Sequence, residues 1–205
     1  ERGKELRITS LDQTATQLLE DYYPGKFRFH SDRDSFDYVY DINDLADLKG
    51  KRYQRKRNHY NRFRVLYPDC VVQPISQDNL PAVKQMVGAW FESKQQENPD
   101  IDYYAEQAAL NKALANYHEL GLEGLVLLHR TQVLAVTLGS RMAEDTFDVH
   151  FEKARSDAEG AYTAINCEFA RYIRDKYPQV RFPNREEDMG LEGLRKAKES
   201  YLPHH

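Results

Sequence analysis

Two clusters in the chain hold residue types that do acid–base chemistry. In "TFDVHFEKA", residues 146–154, strict alternation would place Phe147, Val149 and Phe151 on one face and Asp148, His150 and Glu152 on the other. A His two residues from a Glu suits a general base held by a carboxylate, and with a third ligand it suits a metal. No second His motif accompanies it, so no metal site is expected. In "NREEDMGLEG", residues 184–193, Asn184, Arg185 and Glu187 follow a strand-like run, and Asp188 is placed to cap the next helix. Three consecutive acids there read either as a solvated face or as ligands for an amine. Tyr201, after "KAKES", is a candidate proton donor, with packing as the plainer alternative.

Phosphate chemistry has two candidate sites. "ARSDAEGAYTAIN" puts Gly160 and Ala161 at a helix start, where free backbone N–H groups and the helix dipole favour an anion. Tyr162 follows directly. From Lys49 to Arg64, eight of sixteen residues are Lys or Arg and none is acidic, which leaves 21 cations against 33 carboxylates elsewhere in a chain of net charge −4. The block is therefore a local feature. As a helix it sets Lys51, Arg55 and Arg62 within about 40° of one another, with Tyr53 and Tyr60 opposite. Such a ridge reads as a solvated charged face or as a phosphate-binding surface for RNA or anionic lipid. A nuclear-localisation signal is a weaker third reading. No P-loop or dinucleotide fingerprint occurs.

These residues need elements to hold them. At 205 residues and 40% hydrophobic content the chain is long enough for one large or two small domains. It has no apolar run of membrane-spanning length and no secretory leader at "ERGKELRITS", so a cytoplasmic location is expected, with Cys70 and Cys167 as thiols rather than a disulfide. The absence of an initial Met raises the expectation of a fragment. The pattern predicts a helix over 6–23, strands at "KFRFH" and "FDYVY", and the basic helix at 49–64. From Cys70 onward it predicts strand, two helices, three antiparallel strands, helix, strand, helix, the last burying Leu191, Leu194 and Ala197.

That order is similar to the GNAT acyltransferase fold, an α+β architecture with a mixed sheet. In it the fourth and fifth strands splay apart, and the intervening helix points its amino end at the donor. Taken with this order, "DSFDYVYDINDLADLKGKRYQRKRNHYNRF", "HFEKARSDAEGAYTAINCEFA" and "NREEDMGLEGLRKAKESYLP" resemble the bacterial family related to the C-terminal domain of phosphatidylglycerol lysyltransferases. The resemblance implies tandem GNAT-like halves, with 1–66 the end of the first half and 67–205 the second domain.

It also implies an aminoacyl-tRNA-like donor and an amine or hydroxyl acceptor. tRNA and an anionic lipid head group are the implied partners. His150, Glu152, Asn166, Asn184, Arg185, Glu187 and Lys198 would then surround the transfer cleft, and Lys51, Arg55, Lys56 and Arg62 would meet phosphate. An acyl-CoA-dependent N-acyltransferase and a non-catalytic binder of RNA or anionic surfaces are the alternatives. "EGAY" in place of a fuller glycine loop argues against acetyl-CoA.

Overall fold

The computed structural model describes residues 6–204, which fall into two compact units divided between Arg33 and Asp34. In the first unit, helix α1 spans Gln13–Tyr22 and buries none of its residues. It starts later than the pattern predicts because Asp12 caps it, its Oδ1 accepting the Ala15 N–H at 2.7 Å. "KFRFH" is not a strand. Its aromatic rings gather on one another and on Tyr23 instead, Tyr23 to Phe27 at 6.1 Å.

The second unit is a five-stranded sheet in the order β1-β2-β3-β4-β5, formed by Val71–Pro74, Glu123–His129, Gln132–Arg141, Thr146–Ala154 and Phe182–Asn184. The first four strands are antiparallel neighbours, β2, β3 and β4 through short turns and β1 with β2 across the two helices of residues 75–122. β5 runs parallel to β4 after the crossover helix α6, Ala161–Lys176. "FDYVY" is likewise not a full strand. Only Val39 bridges to Asn184, although Tyr40 N–H donates to the Pro183 carbonyl and Ile42 N–H to that of Arg181, so this segment lines the outer edge of β5.

Each sheet face has its own core. On one, Leu125, Leu127 and Phe147 pack with Ile165, Phe169 and Ile173 of α6, Leu45 of α2 (Ile42–Asp47) and Phe63 of α3 (Gln54–Leu66). On the other, Val126, Val136 and Leu138 pack with Val83, Val87 and Phe91 of α4 (Leu80–Glu97) and Leu110 and Leu114 of α5 (Tyr104–Ala115). Among the described residues no helix is long and apolar enough to cross a membrane, and both cysteines are buried free thiols.

Two predicted patterns fail in detail. Phe147 and Val149 belong to the first core but Phe151 to the second, so alternation along β4 changes phase. The cause is a register shift opposite Leu138 and Ser140, where any side chain on Gly139 would fall within 3.0 Å of the Asp148 backbone. In α7, Glu192–Glu199, Ala197 is exposed, as is Leu191 just before it; Leu194 is half-buried, and the buried member is Lys198, at 6% exposure. Its Nζ donates to three carbonyls, those of Arg185 (2.5 Å), Glu186 (3.0 Å) and Glu187 (2.5 Å). That makes the cation, rather than a leucine, the residue that docks the helix.

Candidate active site

β4 and β5 pair only over Thr146–Asp148 and Phe182–Asn184; β4 then continues to Ala154 while β5 ends. The two strands part there, and polar side chains fill the opening.

Glu152 lies along one wall. Because of the phase change it turns toward α6, where its Oε2 accepts from Asn166 Nδ2 at 3.1 Å. Its Oε1 accepts from Arg185 Nη2 at 3.0 Å, with the side chains only 9% and 12% exposed. The guanidinium lies over the rings of Tyr201, 5.1 Å, and Tyr40, 5.8 Å. Two buried atoms in this group have no hydrogen-bond partner among the described residues, Arg185 Nη1 and Asn166 Oδ1. Lys56 reaches in from α3, its Nζ 3.6 Å from the centre of the Tyr201 ring. Burial, and then the charge of Arg185, lower its pKa to about 8. Lys198 is lowered to about 8 by the same two causes.

A second cluster begins one residue further along the loop. Glu186, held in the left-handed region at φ 57°, faces His150, whose Nδ1 lies 3.1 Å from its Oε1 and 3.6 Å from Asp148 Oδ2. His150 Nε2 is 2.9 Å from Ser140 Oγ. The hydrogen bond to Glu186 raises the His150 pKa above its ordinary value. Burial, with Glu186 close by, lifts Asp148 to about 6, and Asp37 and Glu187 add to the negative field. The ligand atoms of Asp148, His150 and Glu186 lie within 4.8 Å of one another, so this set is also able to hold a divalent ion.

The structure thus brings together Glu152, Asn166, Arg185, Tyr201, Lys56 and Lys198, and sets His150 in a neighbouring cluster. Asn184 supports the loop, its Nδ2 donating to Asp37 Oδ2 and its Oδ1 accepting the Glu186 N–H, both 2.9 Å. Glu187 contributes a carbonyl to Lys198. Tyr201 is buried, its pKa raised to about 12 by burial, and its OH lies 3.5 Å from Thr163 Oγ1.

The donor-side residues divide. Lys51, Arg55 and Arg62 are exposed on or just before α3, Arg62 within 3.5 Å of Glu159. Gly160 is needed for packing: at φ 81° it lets α3 approach so closely that a Cβ would fall within 3.0 Å of the His59 carbonyl. The Ala161 N–H donates to Ala158 O, and Tyr162 OH accepts from Trp90 Nε1 at 3.0 Å. Ser140 and Tyr40 were not legible as site residues, and Asp148 and Glu186 were legible only as members of a polar strand face and of an acidic run. The left-handed backbone of Glu186, which aims its side chain at His150, has no signature in a non-glycine residue.

A mixed sheet with parted β4 and β5, the crossover α6 and ionisable groups in the opening defines a GNAT-like fold. The chain belongs to the family described as phosphatidylglycerol lysyltransferase, C-terminal, whose sequence pattern matches residues 1–205. It is similar to the crystal structure of a conserved protein of unknown function from Bacteroides thetaiotaomicron, at 41% identity and a TM-score of 0.88 over 94% of this chain and 64% of that one. L-PGS from Bacillus licheniformis shares the fold at 15% identity and a TM-score of 0.63 over 93% of this chain and 62% of that one. So does the C-terminal domain of a putative lysylphosphatidylglycerol synthetase from Agrobacterium fabrum, at 11% identity and 0.55 over 82% and 57%. The chain therefore spans less than two thirds of each of these structures. No curated protein matches it.

Proposed function

We propose that this domain transfers an aminoacyl group from an aminoacyl-tRNA-like donor to an amine or hydroxyl acceptor. The observation that carries this is the buried Glu152–Arg185 pair in the β4–β5 opening, with Arg185 Nη1 left without a partner. An ester carbonyl that becomes an oxyanion needs a preorganised, desolvated donor, and a guanidinium fixed by a carboxylate on its other nitrogen is one. Glu152 is the positioning residue, since its two oxygens are taken by Arg185 and Asn166. His150 is the base, its Nδ1 held by Glu186 and its Nε2 beside the Ser140 hydroxyl, which the acceptor would displace. It takes the acceptor's proton as the new bond to the carbonyl carbon forms, and returns it to the ribose oxygen as the ester C–O bond breaks. The negative field of Asp148 and Glu186 suits the cationic amino group of the donor. The α3 ridge suits its phosphates.

The test is transfer from mixed aminoacyl-tRNA, with RNA binding followed across a salt series for the wild type and for Arg55→Ala/Arg62→Ala. We expect aminoacyl loss from tRNA that needs an acceptor, and for the variant at least tenfold weaker binding with a salt slope smaller by about two. Turnover of acetyl-CoA without RNA binding would overturn the reading in favour of an acyl-CoA enzyme. RNA binding that no substitution in the opening affects, without transfer, would favour a binding protein.

A further inference from the structure

A cavity of about 420 Å³ opens where the β2–β3 turn meets the segment after β4, lined by none of the candidate active-site residues. It is framed by Tyr67 just after α3, by His129 and Arg130 of the β2–β3 turn, and by Arg155 and Asp157 after β4. The charges are uneven. Arg155 is spent on Asp157, with Nε and Nη2 donating to its two carboxylate oxygens at 2.9 and 2.7 Å, whereas Arg130 is exposed, carried outward by a left-handed backbone at φ 56°. His129 meets the Tyr67 ring edge-on at 5.3 Å, and its buried Nδ1 has no hydrogen-bond partner among the described residues.

The volume falls among small-ligand clefts, roughly 300–1,000 Å³, and is too large for a lone phosphate. Aromatic rings, one uncommitted hydrogen-bonding nitrogen among the described residues and an exposed cation at the rim are the components that hold a nucleotide: the base against the rings, the phosphate on the arginine. The cavity also adjoins the end of the basic helix. α3 ends at Leu66 beside Tyr67, and Arg62 reaches Glu159, the neighbour of the lining residue Ala158.

We infer that this cavity receives one nucleotide of a single-stranded RNA segment whose flanking phosphates run along α3, anchored by Tyr67, His129 and Arg130. The inference rests on the proposed RNA-linked donor and adds a second point of contact to it.

Two probes test it: AMP by titration calorimetry, and a short fluorescein-labelled single-stranded RNA by anisotropy. Both are applied to the wild type, Tyr67→Leu, Arg130→Gln and Arg55→Ala/Arg62→Ala. Tyr67→Leu keeps apolar bulk while removing the ring, and the exposed Arg130 gives a variant whose folding is not at issue. We expect saturable AMP binding that RNA displaces, and RNA affinity lowered about five- to tenfold in each cavity variant. The salt slope should fall by about one for Arg130→Gln and stay unchanged for Tyr67→Leu. RNA binding that survives both cavity variants but fails in the α3 variant would overturn the cavity while leaving the RNA-linked donor intact. AMP binding undisturbed by saturating RNA would make the ligand a free nucleotide and refute the RNA source. A wild type that binds neither probe would overturn both.

Discussion

Glu152→Gln removes one charge from a pair that is almost entirely desolvated, so its cost follows from the geometry. The substitution keeps an oxygen able to accept from Asn166 but leaves Arg185 without the carboxylate 3.0 Å away. Breaking a buried pair by removing one partner costs about 3–5 kcal/mol, because the remaining charge stays buried and unpaired. The rings of Tyr40 and Tyr201 face the guanidinium before and after the change and so cancel from the difference. The expected loss is therefore about 3–5 kcal/mol. For a chain of this size that lowers Tm by roughly 6–20 °C.

Urea unfolding followed by the fluorescence of Trp90 measures it, with the midpoint falling and the slope unchanged. The double variant Glu152→Leu/Arg185→Leu, which removes both charges, should recover most of the loss while abolishing transfer. A loss below about 0.5 kcal/mol for Glu152→Gln, or a double variant no more stable than the single one, would refute the view that the opening holds a desolvated, preorganised guanidinium.

Two further outcomes follow from the same structure. Asp148, 17% exposed, has its carboxyl lifted to about 6 by burial and Glu186, against about 3.9 unfolded, so ionising it opposes folding. The penalty is absent below the unfolded value, grows as pH rises through about 4 to 6, and is complete by pH 7. Asp148→Asn should then raise stability at pH 7 by about 1–2 kcal/mol and change little near pH 3.5, as thermal melts at the two pH values would show. Because Asp148 also helps raise the His150 pKa, the substitution should shift the acidic limb of a transfer pH profile, where the base loses its proton, toward lower pH. Gly160→Ala forces a Cβ against the His59 carbonyl at a φ of 81°, and should cost about 2–4 kcal/mol in a thermal melt. A neutral result would mean that α3 does not dock on the start of α6 as described.

Much of the second unit was legible in the sequence because its determinants are local. The apolar periods of α4 and α6, the three alternating strands and the uniformly basic α3 each follow from side chains within one element. What failed was what depends on a partner elsewhere in the chain. "KFRFH" has strand-like alternation but no strand pairs with it among the described residues, and alternation alone does not satisfy a backbone. The phase of β4 was set by a close approach at Gly139 on the neighbouring strand, which sent Glu152 to α6 and left His150 with Ser140 and Glu186.

By itself, the sequence determined the element order, the basic ridge, and which side chains near the carboxyl ends of the last strands were ionisable. Only the tertiary structure decided which of them meet: Glu152 with an arginine 33 positions away, His150 with Glu186, and Lys198 beneath three carbonyls. The physical reason is range. Periodicity records which face of an element avoids water, whereas the pairing of buried charges is fixed by where separate elements come to rest.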